Sequence, residues 1–204
     1  MSKVMRPTLL TAVLSAATLV GYLSYRIIGT FTDPGDAADD AAIPQPALAD
    51  ALPDFSLADL DGESRSIRSW PGKPLIVNFW ATWCAPCLRE IPLLKQFQSE
   101  HPDVQVVGIA MDRREPVTSF AEEMQFNYPV LVGQSEAMNA AAAFGVEVLA
   151  LPFTVFSGPG GALLGVQTGE IHPEHLANLS ETLAALDAGS IDLEAARARI
   201  ARRR

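Results

Sequence analysis

Residues 80 to 92, WATWCAPCLREIP, contain both of the chain's cysteines, Cys84 and Cys87. Two thiols at C-x-x-C spacing can close a disulfide within a single turn. Where a helix begins at the first of them, its free N–H groups point at that sulfur and stabilise a thiolate. Such motifs lower the first cysteine's pKa from about 8.5 to roughly 3.5 to 7.5, which makes it nucleophilic near neutral pH. The spacing therefore predicts dithiol-disulfide exchange, with Cys84 attacking and Cys87, one turn inside the helix, resolving the mixed disulfide. A static staple is the poorer reading, because so short a loop removes little chain entropy and strains easily. Zinc would want four ligands, and His101, His172 and His175 lie far away in sequence. No metal and no cofactor is expected.

Residues around the pair sharpen this chemistry. Asn78 lies six positions before Cys84, where a buried acid would serve as a proton acceptor and an amide does not. Glu90 follows Cys87 by one helical turn and shares a face with Leu94 and Phe97, which turns its carboxylate partly inward. There it would take the proton of Cys87, with desolvation raising its pKa into a useful range. The alternative is a surface glutamate that only complements the helix start. Trp80 and Trp83 either cover the disulfide or are ordinary strand-end packing. His172 and His175, in HPEH at a helix start, read as surface residues.

The elements that must position these groups follow an α/β order. LPDFSLADLDGESRSI predicts a hairpin turning at Asp61-Gly62. LIVNFW has the length and branching of a buried strand. A helix over Cys87 to Ser99 carries Ile91, Leu94 and Phe97, with Pro92 as a kink. VQVVGIAM is a second buried strand, EPVTSFAEEMQF a helix, YPVLVG a short strand, and SEAMNAAAAFG a helix closed by Gly145. LPFTVFSGPGGALLGVQT predicts two strands about a Gly-Pro-Gly-Gly turn, and a helix runs from Pro173 to about Leu186.

The chain has 204 residues and a formal charge of −9, unevenly placed. Residues 1 to 26 hold Lys3, Arg6 and Arg26 and no acid, so the remainder sets 12 basic residues against 24 acids. That balance argues against nucleic acid or anionic lipid as a partner of the main domain. Pro7 to Tyr25 is free of charge and long enough to span about 30 Å of hydrocarbon. Lys3 and Arg6 before it, against Arg26 alone closely behind it, favour the N-terminus inside and the bulk of the chain outside. An uncleaved anchor is favoured over a cleaved signal peptide, since the small-x-small site at Ala47-Leu48-Ala49 lies far downstream; both readings export the domain. The expected organisation is an anchor over 1–28, a flexible acidic linker over 29–50, a domain over 51–187 and a basic tail over 188–204, whose SIDLEAARARIARRR could form a short helix.

WCAPC with Pro92 five positions on, and Leu151-Pro152 just before a strand, resembles the thioredoxin superfamily. DFSLADLDG, VNFWATWCAPCLREIP, VVGIAMD and LPFTVF together resemble the membrane-anchored, extracytoplasmic TlpA/ResA-like thiol-disulfide oxidoreductases, over about residues 53 to 187. The resemblance implies a thioredoxin-like fold with an N-terminal β-hairpin and an insertion from Glu115 to Gly133. It makes Cys84 and Cys87 the redox pair, Pro152 the cis-proline facing it, and Glu90 the family's helix glutamate. Trp83, Ala85, Pro86 and Leu151 would form the substrate groove, Leu151 standing where many relatives carry a small or polar residue. Asn78 occupies the place of the buried aspartate of cytoplasmic thioredoxins, and the arginine-rich tail has no counterpart.

Pro86 before the second cysteine resembles the reducing members. Such proteins take electrons from a membrane-embedded thiol transporter and reduce disulfides of exported partners, for example in cytochrome c maturation or oxidase assembly. The alternatives are an exported thiol oxidase or isomerase and, from another class, a copper-binding assembly chaperone using Cys84, Cys87 and Met111 or a histidine as soft ligands. A peroxiredoxin would need a threonine or serine where Ala81 stands.

Overall fold

A computed structural model of the chain describes residues 48–202. The expected anchor over 1–28, and the expected linker up to residue 47, lie outside the described residues. Among the described residues no helix is long and apolar enough to cross a membrane.

Seven strands form one mixed sheet in the order β2-β1-β5-β4-β3-β6-β7. They are β1 (Ser56–Asp59), β2 (Ser64–Ser66), β3 (Leu75–Trp80), β4 (Gln105–Ala110), β5 (Val130–Val132), β6 (Phe153–Ser157) and β7 (Leu163–Thr168). The central pair β3–β4 is parallel, as is β4–β5, while β1–β2, β1–β5, β3–β6 and β6–β7 are antiparallel. Five α-helices, α1 (Ala85–Glu100), α2 (Arg114–Met124), α3 (Ser135–Ala143), α4 (Pro173–Asp187) and α5 (Leu193–Ala201), and a 3-10 turn at Pro159–Gly161 complete the described chain.

β3 reads as an almost unbroken apolar run because it is buried on both faces. Its period of two sends Ile76 and Trp80 into a core with Ile91, Leu94 and Phe97 of α1 and Leu176, Leu179 and Leu183 of α4. Leu75, Val77 and Phe79 enter a second core with Ala137, Ala140 and Ala141 of α3. Phe79 stacks on Phe153 at 4.4 Å between ring centroids and meets Phe144 edge-on at 6.1 Å. Asn78 is the one polar residue of this strand, and it points to the α1 side.

The Glu115 to Gly133 stretch forms most of α2 together with β5, which pairs between β4 and the N-terminal hairpin. Its rings return to the centre: Phe120 and Phe126 each lie 5.5 Å from Trp80.

Two expected boundaries move. Residues 48–50, read as the end of the linker, are fastened to the domain. The Ala49 amide donates to the Phe144 carbonyl at 2.9 Å, and the Asp50 carbonyl accepts from the Leu163 amide at 3.0 Å. The expected basic tail over 188–204 contains α5, which packs on β7. Ala196 is fully buried, Arg197 Nε donates to the Leu163 carbonyl at 2.9 Å, and Asn178 Nδ2 reaches the Arg199 carbonyl at 3.2 Å. Asp192 caps this helix by accepting from the Ala195 amide at 2.8 Å. The arginines had hidden a single apolar face, Ala196 and Ile200, from a reading by charge.

Close approach of α5 depends on Gly165, where an added Cβ would stand 2.6 Å from Ile200 Cγ2. Gly165→Val is therefore expected to lift α5 and cost about 1 to 3 kcal/mol, read by urea denaturation. An unchanged midpoint would show that α5 adds nothing to the domain.

Candidate active site

The loop from β3 to α1 carries the cysteines, and its shape is set from both ends. Where β3 stops, the Met111 amide donates to the Trp80 carbonyl at 2.8 Å, holding the ends of β3 and β4 together. Asp112, just beyond β4, accepts from the Thr82 amide at 3.2 Å and from the Thr82 hydroxyl. Cys84 is the N-cap of α1, and its Sγ accepts from the Cys87 amide at 3.3 Å. Pro86 sits in the first turn, where no intrahelical donor is lost.

Cys84 and Cys87 are joined as a disulfide, with 5.3 Å between their Cα atoms. They differ in access: Cys84 keeps 5% of its surface and Cys87 none. An incoming sulfur can therefore reach only Cys84. Trp83 beside it is 70% exposed, whereas Trp80 is fully buried among Phe120 and Phe126. Of the two tryptophans, only Trp83 borders the disulfide from the solvent side. Ala85 is exposed and Pro86 half-buried, on the same rim.

The Leu151–Pro152 peptide bond is cis. β6 pairs with β3 so that Phe153 lies opposite Phe79, which sets Pro152 at the sheet end from which the cysteine loop departs. Leu151 is half-buried, and Leu149 before it is 86% exposed.

Glu90 is only 1% exposed, more deeply buried than its helix position had indicated. Asn78 Nδ2 donates to its Oε1 at 2.7 Å, and the Ile171 backbone amide donates to its Oε2 at 2.6 Å. Asn78 gives its other amide hydrogen to Thr154 Oγ1 at 3.0 Å. Burial raises the Glu90 pKa from 4.5 to about 7, against the lowering effect of the two donors, and the nearby Glu170 carboxylate adds to the rise. Tyr128 is buried nearby. Desolvation first, and the Glu90 charge second, hold its phenol above its ordinary value, so it stays neutral.

The structure thus brings Cys84, Cys87, Glu90 and Pro152 to one end of the sheet, with Trp83, Ala85, Pro86 and Leu151 around them. Asn78, whose amide cannot accept a proton, is instead a donor that holds the Glu90 carboxyl. An amide in an otherwise apolar strand was the visible signal for it. Thr154, Asp112 and the Ile171 amide had no such signal. His172 and His175 cap α4, the His172 amide donating to His175 Nδ1 at 3.0 Å. Met111, a candidate soft ligand, packs into the core on the far side of the sheet from the cysteines.

The AhpC/TSA family model matches residues 48–164, more than half of the chain. The thioredoxin-like protein YneN of Bacillus subtilis (strain 168) is 30% identical over 156 residues, covering 74% of this chain and 84% of that protein. The thiol-disulfide oxidoreductase ResA of Geobacillus kaustophilus is 29% identical over 184 residues, covering 88% and 95%. A solved thiol:disulfide interchange protein of the thioredoxin family from Chlorobium tepidum TLS is 29% identical with a TM-score of 0.57, over 66% of this chain and 93% of that one. Ala81, three positions before Cys84, is fully buried and offers no hydroxyl; the chemistry is that of the exchange enzymes among these relatives. The chain belongs to the AhpC/TSA family and is a ResA-like thiol-disulfide oxidoreductase of the thioredoxin superfamily.

Proposed function

We propose that the chain is a reductase on the extracytoplasmic side of a bacterial cytoplasmic membrane, held there by residues 1–28 as a single-pass anchor and by a linker. It takes two electrons from a membrane thiol transporter and passes them to disulfide-bearing exported proteins, such as those of cytochrome c maturation or oxidase assembly.

In each cycle the Cys84 thiolate attacks one sulfur of the partner's disulfide, and the other partner sulfur leaves as a thiolate. Cys87 then gives up its proton and attacks Cys84 Sγ. The second partner sulfur leaves, and the Cys84–Cys87 disulfide carries the two-electron oxidation. The observation that carries this reading is Glu90: a buried carboxyl, one helical turn from a fully buried thiol, with a pKa of about 7. A thiol without solvent cannot ionise readily, and Glu90 is the acceptor that lets it. Pro152 and Leu151 offer the edge on which the partner's chain lies beside Cys84, with Trp83, Ala85 and Pro86 as its walls. The Ala85-Pro86 dipeptide supports the reducing direction.

The full chain carrying Cys87→Ser, expressed in a Gram-negative host, is expected to trap exported proteins as mixed disulfides on Cys84. Its domain should be digested by protease added to spheroplasts. Trapping that survives Cys84→Ser would remove the assigned roles, and a domain protected in intact spheroplasts would remove the export.

A further inference from the structure

Residues 169 to 171 join β7 to α4, and each of the three is fastened to a different part of the site. Gly169 has a φ of +86°, a left-handed turn open to glycine, and its amide donates to the Pro152 carbonyl at 2.9 Å. The Ile171 amide donates to Glu90 Oε2 at 2.6 Å. Between them Glu170 accepts from Arg89 Nε, at 3.2 and 3.1 Å to its two oxygens, and from Arg89 Nη2. Arg89 and Glu90 are neighbours on α1, as Glu170 and Ile171 are on the segment. Two adjacent bonds therefore cross the same gap, one at the surface and one inside. The inner bond is charge-assisted whenever Glu90 is ionised. The outer pair includes a side chain 61% exposed, so as a stabilising ion pair it is worth little; its value lies in where it holds the chain.

We propose that Gly169–Ile171 is a positioning strap for Glu90, anchored on the Pro152 carbonyl and latched from outside by Arg89. The inference rests on the reading of Glu90 as the proton acceptor for Cys87. Arg89 is a positioning residue that acts through Glu170. The groups bearing on Glu90 are Asn78 from β3, Tyr128 from the segment before β5, Cys87 on its own helix, and Glu170 and the Ile171 amide from the strap; His172 acts on Glu170 in turn. Breaking the latch changes two of them in the same direction. The Ile171 donor loosens, and Glu170 loses the cation that offsets its charge. Both raise the affinity of Glu90 for its proton.

The test is a carboxyl-carbon NMR titration of the full chain with labelled glutamate, the Glu90 resonance being assigned by its loss in Glu90→Gln. Arg89→Ala is expected to move the Glu90 midpoint upward by about half a pH unit or more. Arg89→Lys, which keeps the charge and loses the fork, should move it less in the same direction. Arg113→Ala, at the exposed start of α2, should leave it in place. An Arg89→Ala midpoint that is unchanged, or lower, overturns the strap. The titration does not depend on catalysis: if Glu90→Gln left the pH profile of resolution unaltered, the acceptor role would fail while the strap could still be read.

Discussion

Glu90→Gln is expected to slow resolution of the mixed disulfide by about 10²-fold at pH 8, the lower end of what a positioned general base contributes. Cys87 is fully buried and Glu90 lies one turn from it on the same helix. In the wild type the rate should rise as pH passes about 7, the range in which Glu90 loses its proton, and then level off. In the variant no acceptor titrates there. The rate should instead climb with pH until the Cys87 thiol ionises by itself. Attack by Cys84 should be nearly unchanged, since its thiolate is stabilised by the start of α1. Single-turnover kinetics with prereduced protein and a disulfide peptide separates the two steps. Equal slowing of attack and resolution would show that Glu90 supports the helix and not the proton transfer.

The second large effect is on stability. Glu90 has a folded pKa of about 7 against 4.5 when free, so between those values the folded chain binds a proton that the unfolded chain does not. Stability from this group is fully present below pH 4.5 and is lost as pH rises to about 7. The shift corresponds to about 3 kcal/mol. Glu170 runs the other way: Arg89 holds its carboxyl below the ordinary value, so its contribution disappears only on acidification. Glu90→Gln leaves the buried Ile171 amide or the Asn78 amide less well matched, a cost independent of pH. Urea denaturation of the oxidised protein at pH 5 and pH 8 should show the wild type losing about 2.5 kcal/mol more than Glu90→Gln over that interval, since pH 5 already lies above 4.5. Parallel behaviour of the two would mean that Glu90 is not held in its protonated form by burial.

Much of this arrangement is written locally. The hairpin is legible because Asp61-Gly62 turns between alternating runs, and β1 and β2 pair across it. β3 and β4 are legible because strands buried on both faces leave continuous apolar runs. The redox pair is legible because two cysteines at that spacing, before a helical pattern, have few other uses. What escaped local reading depends on distant partners. Ile171 contributes a backbone amide to Glu90 from 81 residues away, which no side-chain type announces. The bond between Asn78 and Glu90 needs the register of β3 against α1. The docking of α5 turns on a missing Cβ at Gly165, a residue that reads in sequence as an ordinary strand glycine.

The most direct test of the proposed reducing role is the reduction potential of the Cys84–Cys87 pair in the full chain. It is read by tryptophan fluorescence during equilibration with dithiol-disulfide buffers, Trp83 lying beside the bond and Trp80 sharing its core. A value near or below about −270 mV is predicted, which makes the reduced protein a donor of electrons to partner disulfides. A value near about −120 mV would contradict that role and make the protein an oxidant of partner thiols.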